Sequence, residues 1–195
     1  MVGTRSEPMN GPAKFCTAMT MLFATTLAMA APAWHTVAAD SRLSFIATQA
    51  GAEFTGRFDD FTADIEFGPH DLDSSRFDVR IETGSVDTDD AERDAIIRGP
   101  DLFAVERHPQ ARYVADRFTA DGDRYLARGE LTLRGKTRAV PVRFTFERTD
   151  RGARLRGSAT LERLDFDVGE GEWQDTQWVG NEVEVRFDLT LEPVP

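Results

Sequence analysis

The chain has 195 residues, of which 23 are Lys or Arg and 34 are Asp or Glu, so its formal net charge is −11. This length suits one domain, alone or behind a targeting segment, and is too short for two domains with independent cores. The acidic balance excludes a nucleic-acid-binding surface and argues against electrostatic docking on anionic lipid. Hydrophobic residues make up 41% of the chain, so bulk disorder is not expected.

The first part of the chain is typical of a secretory signal peptide. A weakly basic leader precedes an apolar or small stretch at 15–28, and two A-x-A-like cleavage sites end at Ala30 and Ala33. This apolar stretch is too short for a membrane span, which takes about 20 residues, and no other stretch is comparable. We therefore predict a signal peptide at 1–33, cleaved after residue 30 or 33, and one mature domain at 34–195, with no stable membrane span.

The mature domain is predicted to consist mostly of β-strands. Apolar side chains recur at every second position, which is the pattern of half-buried strands. The predicted strands, in chain order, are 41–49, 53–67, 76–82, 111–119, 124–134, 137–148, 153–162 and 181–192. Gly56 and the Asp59-Asp60 pair interrupt the second of these and indicate a bulge or a bend.

One short helix is predicted between the third and fourth strands. Asp89, with Glu92 three residues later, resembles a capping box. Apolar positions follow from Ala91 to Ile97, and Gly99-Pro100 is a stop signal. The helix interrupts an otherwise all-β chain.

Three short connections predict how the later strands pair. Asp121-Gly122, Gly135-Lys136 and Asp150-Arg151-Gly152 are tight hairpin signals, so these strands form an antiparallel meander. One helix cannot cover the apolar faces of about eight strands, which leaves a sandwich or a closed barrel. Sequential short hairpins favour an eight-stranded antiparallel barrel, although closure is not fixed by the sequence.

The interior of such a barrel is either packed with side chains or open to one ligand. Ala127, Gly129, Gly157 and Ala159 fall on inward faces beside bulky residues. The volume that they leave forms a pocket, or is filled by larger side chains from across the barrel. The many phenylalanines are likewise compatible with an aromatic core or with the lining for a long apolar ligand.

No catalytic or metal-binding group is predicted in the mature domain. Cleavage of the leader removes Cys16, the single cysteine, which excludes thiol catalysis and cysteine-based metal sites. His35, His70 and His108 are far apart in sequence and lack the short spacing of a metal-binding pair. We therefore predict that the protein is not an enzyme and requires no cofactor.

Short motifs along the mature domain carry a family resemblance. They include Trp34, the strand Asp40–Phe45, the stretch Gly129–Thr137 and the segment Phe166–Gly169, while His108 stands where a tyrosine is usual. Each motif is weak alone, but their order and spacing are specific. The chain resembles the YceI-like family of exported polyisoprenoid-binding proteins, and the resemblance covers almost the whole mature domain.

This resemblance implies a lipocalin-like barrel that holds a long-chain isoprenoid lipid, either a polyprenyl lipid or an isoprenoid quinone, in the periplasm. Carriage, storage and stress protection are all compatible with such a site. A buried CH₂ contributes about 0.8 kcal/mol, so a long tail gains much free energy by leaving water. The expected lining consists of inward apolar residues: Phe45, Phe54, Phe58, Phe77, Val79, Ile81, Leu131, Leu133, Val140, Val142, Phe144, Phe146, Leu155, Val183, Val185 and Phe187.

Two other classes of function stay open. A non-catalytic interaction module, serving for example a membrane redox partner, would present an exposed apolar patch to which Trp173 and Trp178 could contribute. An enzyme acting on a lipid or sugar would need an essential histidine or carboxylate, and no such site stands out. A homodimer and a transient contact with a membrane protein are also open.

Overall fold

The computed structural model describes residues 1–3 and 31–194. The predicted signal peptide lies almost entirely outside these described residues. Within them, no helix is long and apolar enough to cross a membrane. The first barrel contacts involve Pro32, whose carbonyl accepts the Phe67 N–H at 2.9 Å, and Ala33, which begins the first strand. The barrel therefore starts slightly before the predicted domain boundary at residue 34.

The described residues form eleven β-strands, one α-helix and four short 3-10 helices. The strands are β1 (Ala33–Thr36), β2 (Arg42–Gln49), β3 (Ala52–Phe58), β4 (Phe61–Gly68), β5 (Asp71–Glu82), β6 (Val86–Asp87), β7 (Gln110–Asp121), β8 (Arg124–Leu133), β9 (Lys136–Arg148), β10 (Ala153–Glu162) and β11 (Glu182–Pro193). The helix α1 spans Ala91–Arg98, and the 3-10 helices span Ala38–Asp40, Thr83–Ser85, Arg163–Phe166 and Gly171–Gln174.

Eight of the strands close into an antiparallel barrel. The ring runs β1, β4, β5, β7, β8, β9, β10 and β11, and it closes because β11 pairs with β1 as well as with β10. Trp34 on β1 lies opposite Ile65 of β4 on one side and Pro193 of β11 on the other. β2, β3 and β6 continue the sheet from the other half of β11. The predicted eight-stranded antiparallel barrel is confirmed.

The meander from β7 to β10 follows the predicted hairpins, with two turns displaced by a residue. The β7–β8 turn is Gly122-Asp123, and not Asp121-Gly122, because Asp121 already pairs with Arg124. The β8–β9 turn is Arg134-Gly135, with φ of 48° and 74°, and not Gly135-Lys136, because Lys136 already pairs with Leu133. Positive φ at both central residues is the type I′ hairpin geometry, which glycine readily adopts. Arg134 therefore occupies a left-handed position at this end of the barrel.

Two strand predictions differ from the structure. The segment predicted as one strand at 53–67 is two strands, because the chain bends at Asp59-Asp60 and β3 and β4 then pair with different neighbours. β5 begins at Asp71, earlier than the predicted residue 76, because its polar first residues complete a hairpin with β4. β1 was not predicted, since four residues are too few to show an alternating pattern.

The helix α1 lies where the sequence predicts it, but its cap is one residue later. The Asp90 side chain accepts hydrogen bonds from the N–H groups of Glu92 and Arg93, both at 3.1 Å, whereas Asp89 has a φ of 57°. Two adjacent acids made the capping positions ambiguous in the sequence. Ile97 of α1 packs against the cluster around Phe45 and covers one end of the interior.

Aromatic side chains fill the other end of the barrel. We call this group the aromatic plug: Trp34, Phe67, Phe77, Phe118, Tyr125, Phe144 and Phe146. Phe67 lies at its centre, with no exposed surface and with five ring neighbours at centroid distances of 5.0–6.1 Å. The Trp34 indole N–H donates to the Phe67 carbonyl at 3.0 Å, which ties β1 to β4.

Candidate functional site

An apolar cavity of about 230 Å³ occupies the barrel beside the aromatic plug. On the same scale a single water needs roughly 10–15 Å³, so the cavity holds a ligand of many heavy atoms. Thirty residues line it, and 27 of them are apolar. They come from every ring strand except β1, from β2 and β3, from Thr83, and from two segments beside the open end, 87–109, which contains α1, and 163–181. We call these two segments the rim segments.

The wall follows from strand alternation. On β5 the inward positions are Phe77, Val79 and Ile81. Where β5 pairs with β7, Val79 lies opposite Tyr113. The ring strands from β7 to β11 repeat this arrangement, so inward side chains of neighbouring strands stand side by side. Ile97 from α1 and residues from the rim segments then complete the wall.

Fourteen of the sixteen predicted lining residues lie on the cavity wall. They are Phe45, Phe54, Phe58, Phe77, Val79, Ile81, Leu131, Leu133, Val140, Val142, Leu155, Val183, Val185 and Phe187. The alternation of apolar residues therefore located the inward face of seven strands. Contact of these residues with a ligand stays a prediction.

Phe144 and Phe146 were assigned wrongly to the cavity wall. They point inward as predicted, but β9 is thirteen residues long and runs through both ends of the barrel. Its first half brings Val140 and Val142 to the cavity. Its second half brings Phe144 to within 5.2 Å of the Phe67 ring and Phe146 to within 5.0 Å, inside the aromatic plug.

The small inward residues do not create the cavity in the way the sequence suggested. A Cβ on Gly129 would lie 2.5 Å from the Tyr113 ring, and one on Gly157 would lie 2.5 Å from the Phe187 ring. Both glycines thus make room for an aromatic neighbour, and Ala127 is fully buried. Of the four small residues, Ala159 alone lines the cavity.

Strand alternation missed the lining residues that lie in connections between strands. Leu102 and Phe103 follow α1, and Val168 and Val179 lie in the long connection between β10 and β11. These residues have no strand periodicity. For Leu102 and Phe103, the signal in the sequence was an apolar pair within a polar stretch. Phe103 packs at 6.0 Å from the Phe58 ring and links its rim segment to β3.

The three polar residues of the wall direct their polar atoms into the protein. Tyr113 Oη donates to the Val140 carbonyl at 3.1 Å, and Thr83 Oγ1 donates to the His108 carbonyl at 2.8 Å. Burial raises the pKa of the Tyr113 phenol well above its usual range, so the group stays protonated. Neither residue presents an ionisable group that could transfer a proton near neutral pH.

Arg163 is 4% exposed and is held by backbone carbonyls. Its Nε, Nη1 and Nη2 atoms donate to the carbonyls of Gly180, Val168 and Val179 at 2.8–2.9 Å. Burial lowers the pKa of this guanidinium from its ordinary high value. Arg163 therefore fixes the second rim segment where it enters and leaves the barrel.

Arg134 joins the rim segments to the β8–β9 turn. Its side chain is 4% exposed, and its Nη1 donates to Glu170 Oε1 at 2.9 Å while its Nη2 donates to the Pro100 carbonyl at 2.6 Å. The hydrogen bond that Arg134 donates to Glu170 holds the pKa of the Glu170 carboxyl below its usual range. Lys136 Nζ lies 3.0 Å from Asp167 Oδ2 beside it. These contacts hold both rim segments against the barrel.

Two other features bear on the alternative functions, an interaction module and an enzyme. Trp178 is 52% exposed in the second rim segment, whereas Trp173 is partly buried against the core. Among the described residues, no group of three His, Cys, Asp or Glu side chains is close enough to hold a metal ion.

These features define a small β-barrel built around an apolar cavity, plugged by aromatic rings at one end and flanked by two connecting segments at the other. The model of the YceI-like domain family matches residues 34–191. The chain therefore belongs to the YceI-like family.

Relatives and solved structures agree with this assignment. A UPF0312 protein of Pectobacterium atrosepticum is 33% identical over 133 residues, which cover 63% of this chain and 69% of that protein. The crystal structure of Burkholderia cenocepacia BcnA is 30% identical, with a TM-score of 0.76, over 79% of this chain and 98% of BcnA. A polyisoprenoid binding domain from Saccharophagus degradans is 18% identical, with a TM-score of 0.67, over 84% and 99% of the two chains.

Proposed function

We propose that this chain is an exported, non-catalytic binding protein that encloses the apolar tail of a long isoprenoid lipid, such as a polyprenyl lipid or an isoprenoid quinone. The observation that carries the proposal is the cavity wall, which consists of 27 apolar residues and three polar residues whose polar atoms bond the backbone. Such a wall suits a hydrocarbon and offers no reactive group.

The energetics favour a long tail as the ligand. One five-carbon isoprene unit gains roughly 4 kcal/mol when it leaves water, at about 0.8 kcal/mol per carbon. Part of this gain is offset by the lost freedom of the chain and of the ligand as a whole. Several enclosed units are therefore needed for the gain to exceed this cost, and a long tail supplies them without any polar contact.

Family membership and the neighbouring structures support the same ligand class. The Saccharophagus domain that shares this fold is described as polyisoprenoid binding. The leader at 1–33 supports export, and the periplasm is the compartment that we propose. In that compartment a closed barrel would shield an isoprenoid tail from water.

The test is a substitution that fills the cavity without touching the outer surface. Ala159→Trp places an indole in the cavity, whereas Thr160→Trp places the same indole on the outer face of the same strand. Delipidated proteins are incubated with a nine-unit polyprenol, separated from free lipid by gel filtration and extracted for quantification. We expect about one lipid per chain for the unsubstituted protein and the Thr160 variant, and a loss of at least ten-fold for the Ala159 variant.

Two outcomes would contradict the proposal. One is an unsubstituted protein that takes up no polyprenol. The other is a folded Ala159→Trp variant, judged by circular dichroism and its urea midpoint, that retains lipid as well as the Thr160 variant does. A lipid held on the outer surface, for example around the exposed Trp178, would give this second result.

A further inference from the structure

The cavity wall leaves no place for a polar head group. Thr83, Tyr113 and Arg163 each donate to backbone carbonyls, so every polar side chain of the wall is already engaged. A hydroxyl or carbonyl moved inside would lose its hydrogen bonds to water and find no replacement, at a cost of roughly 1–3 kcal/mol. The head group of a bound lipid therefore lies at the open end, between the rim segments.

The rim segments carry a strong excess of negative charge. The segment 87–109 has seven acidic and three basic residues, and the segment 163–181 has five acidic residues and one arginine. Leu102, Phe103 and Val168 of these segments line the cavity, so both acidic segments border it. A head group that emerges from the cavity meets this field.

Most cations of the rim segments and of the neighbouring β8–β9 turn are engaged with protein groups. Arg134 bonds Glu170, Lys136 pairs with Asp167, and Arg163 is buried against carbonyls. By contrast, six exposed rim acids have no cationic side chain of the described residues within 4.0 Å, namely Glu92, Asp101, Glu106, Asp165, Glu172 and Asp175. The rim therefore presents an excess of unpaired carboxylates to a ligand, and Arg107 is its one exposed cation without an ion pair among the described residues.

Building on the proposed lipid binding, we propose that the rim selects ligands by charge: lipids with uncharged heads bind, and lipids of equal tail length with phosphate heads are repelled. The tail supplies the affinity and is the same for both classes. Selection then depends on electrostatics at the opening and not on hydrogen bonding inside the cavity.

The experiment compares two lipids that have the same tail and different head groups. Delipidated protein is titrated with a nine-unit polyprenol and with the corresponding polyprenyl phosphate, at 0.15 M and at 1 M salt. We expect the alcohol to bind at least ten-fold more tightly at 0.15 M salt. The ratio of the two affinities should fall several-fold at 1 M salt, because the screening length falls from about 8 Å to about 3 Å.

Matched variants assign the effect to the rim. The rim variant carries Asp101→Asn, Asp165→Asn and Glu172→Gln, and the control carries Asp73→Asn, Asp123→Asn and Asp150→Asn at the plug end. Both remove three exposed carboxylates that have no ion pair within the described residues. We expect the ratio of the affinity for the alcohol to the affinity for the phosphate to fall several-fold in the rim variant. The same ratio should be unchanged in the control.

Three results would overturn the inference. Equal affinity for the two lipids, or tighter binding of the phosphate, would show that the rim does not repel anions. Equal changes in both variants would assign the effect to net charge and not to the rim. If neither lipid binds the unsubstituted protein, the proposed function itself fails, and this result is distinct because the alcohol is then not bound either.

Discussion

The two ends of the barrel have the same strand pattern and different interiors. At the plug end, Phe67 has no exposed surface and is surrounded by five aromatic rings. At the cavity end, Val79, Leu131 and Val185 also point inward, but they leave an apolar space of about 230 Å³ between them.

This difference arises from how closely the inward side chains meet at the barrel axis. At the plug end, rings from several strands meet and fill the axis, whereas the phenylalanines of the cavity wall stand among valine and leucine side chains that stop short of it. The long strand β9 shows both cases, since Val142 lines the cavity and Phe144 lies in the aromatic plug. Alternation therefore identifies the inward face, and the side chains that meet it from the other strands decide whether that face packs or binds.

The largest effect is expected from removing a ring at the plug end. Phe67→Ala should lower the free energy of unfolding by about 3–5 kcal/mol, because it leaves a void among packed rings. Phe58→Ala, at the cavity end, should cost only about 1–2 kcal/mol, because one side of that ring faces empty space and has fewer partner atoms. Urea denaturation of the delipidated proteins measures both losses in the free energy of unfolding. Equal losses would show that the two ends are packed alike.

Enlarging a small residue should have opposite consequences at the two ends. Ala127→Leu adds volume at a fully buried position and should cost about 1–3 kcal/mol. Ala159→Leu extends into the cavity and should change the free energy of unfolding by less than about 1 kcal/mol while reducing the amount of lipid bound. Thermal or urea unfolding, together with lipid quantification, checks the pair. Strong destabilisation by Ala159→Leu would contradict an open cavity there.

The fold was largely predictable from the sequence, and the cavity only in part. Tight hairpin signals and strict alternation are local, so the β7–β10 meander and most inward positions could be predicted. Ring closure depends on β1, whose four residues carry no readable pattern, and on pairing between residues far apart in sequence. The space around Gly129 depends on the Tyr113 ring from another strand, which no local pattern reveals.

A smaller, pH-dependent effect is expected at the rim. The hydrogen bond from Arg134 lowers the pKa of Glu170 in the folded protein relative to about 4.3 in the unfolded chain. The ion pair therefore contributes its full stability above the unfolded pKa, and this contribution is lost as the pH falls through the folded pKa. The difference in urea midpoint between the unsubstituted protein and Glu170→Gln should be largest at neutral pH and should shrink in acid.

The control for this effect is Glu172→Gln, which removes an exposed carboxylate that has no ion pair within the described residues. Its urea midpoint should follow that of the unsubstituted protein at every pH. A difference for Glu170→Gln that stays constant from pH 7 to pH 3 would contradict the assigned role of the Arg134–Glu170 pair.

The most direct test of the account is mass spectrometry of an organic extract from the full chain, purified from cells without added lipid. The account predicts a long-chain isoprenoid with an uncharged head, in close to a one-to-one ratio with the chain. An empty extract, together with no uptake when polyprenols or isoprenoid quinones are added to the purified protein, would contradict it. The cavity would then be a packing feature of a protein whose function lies on its outer surface.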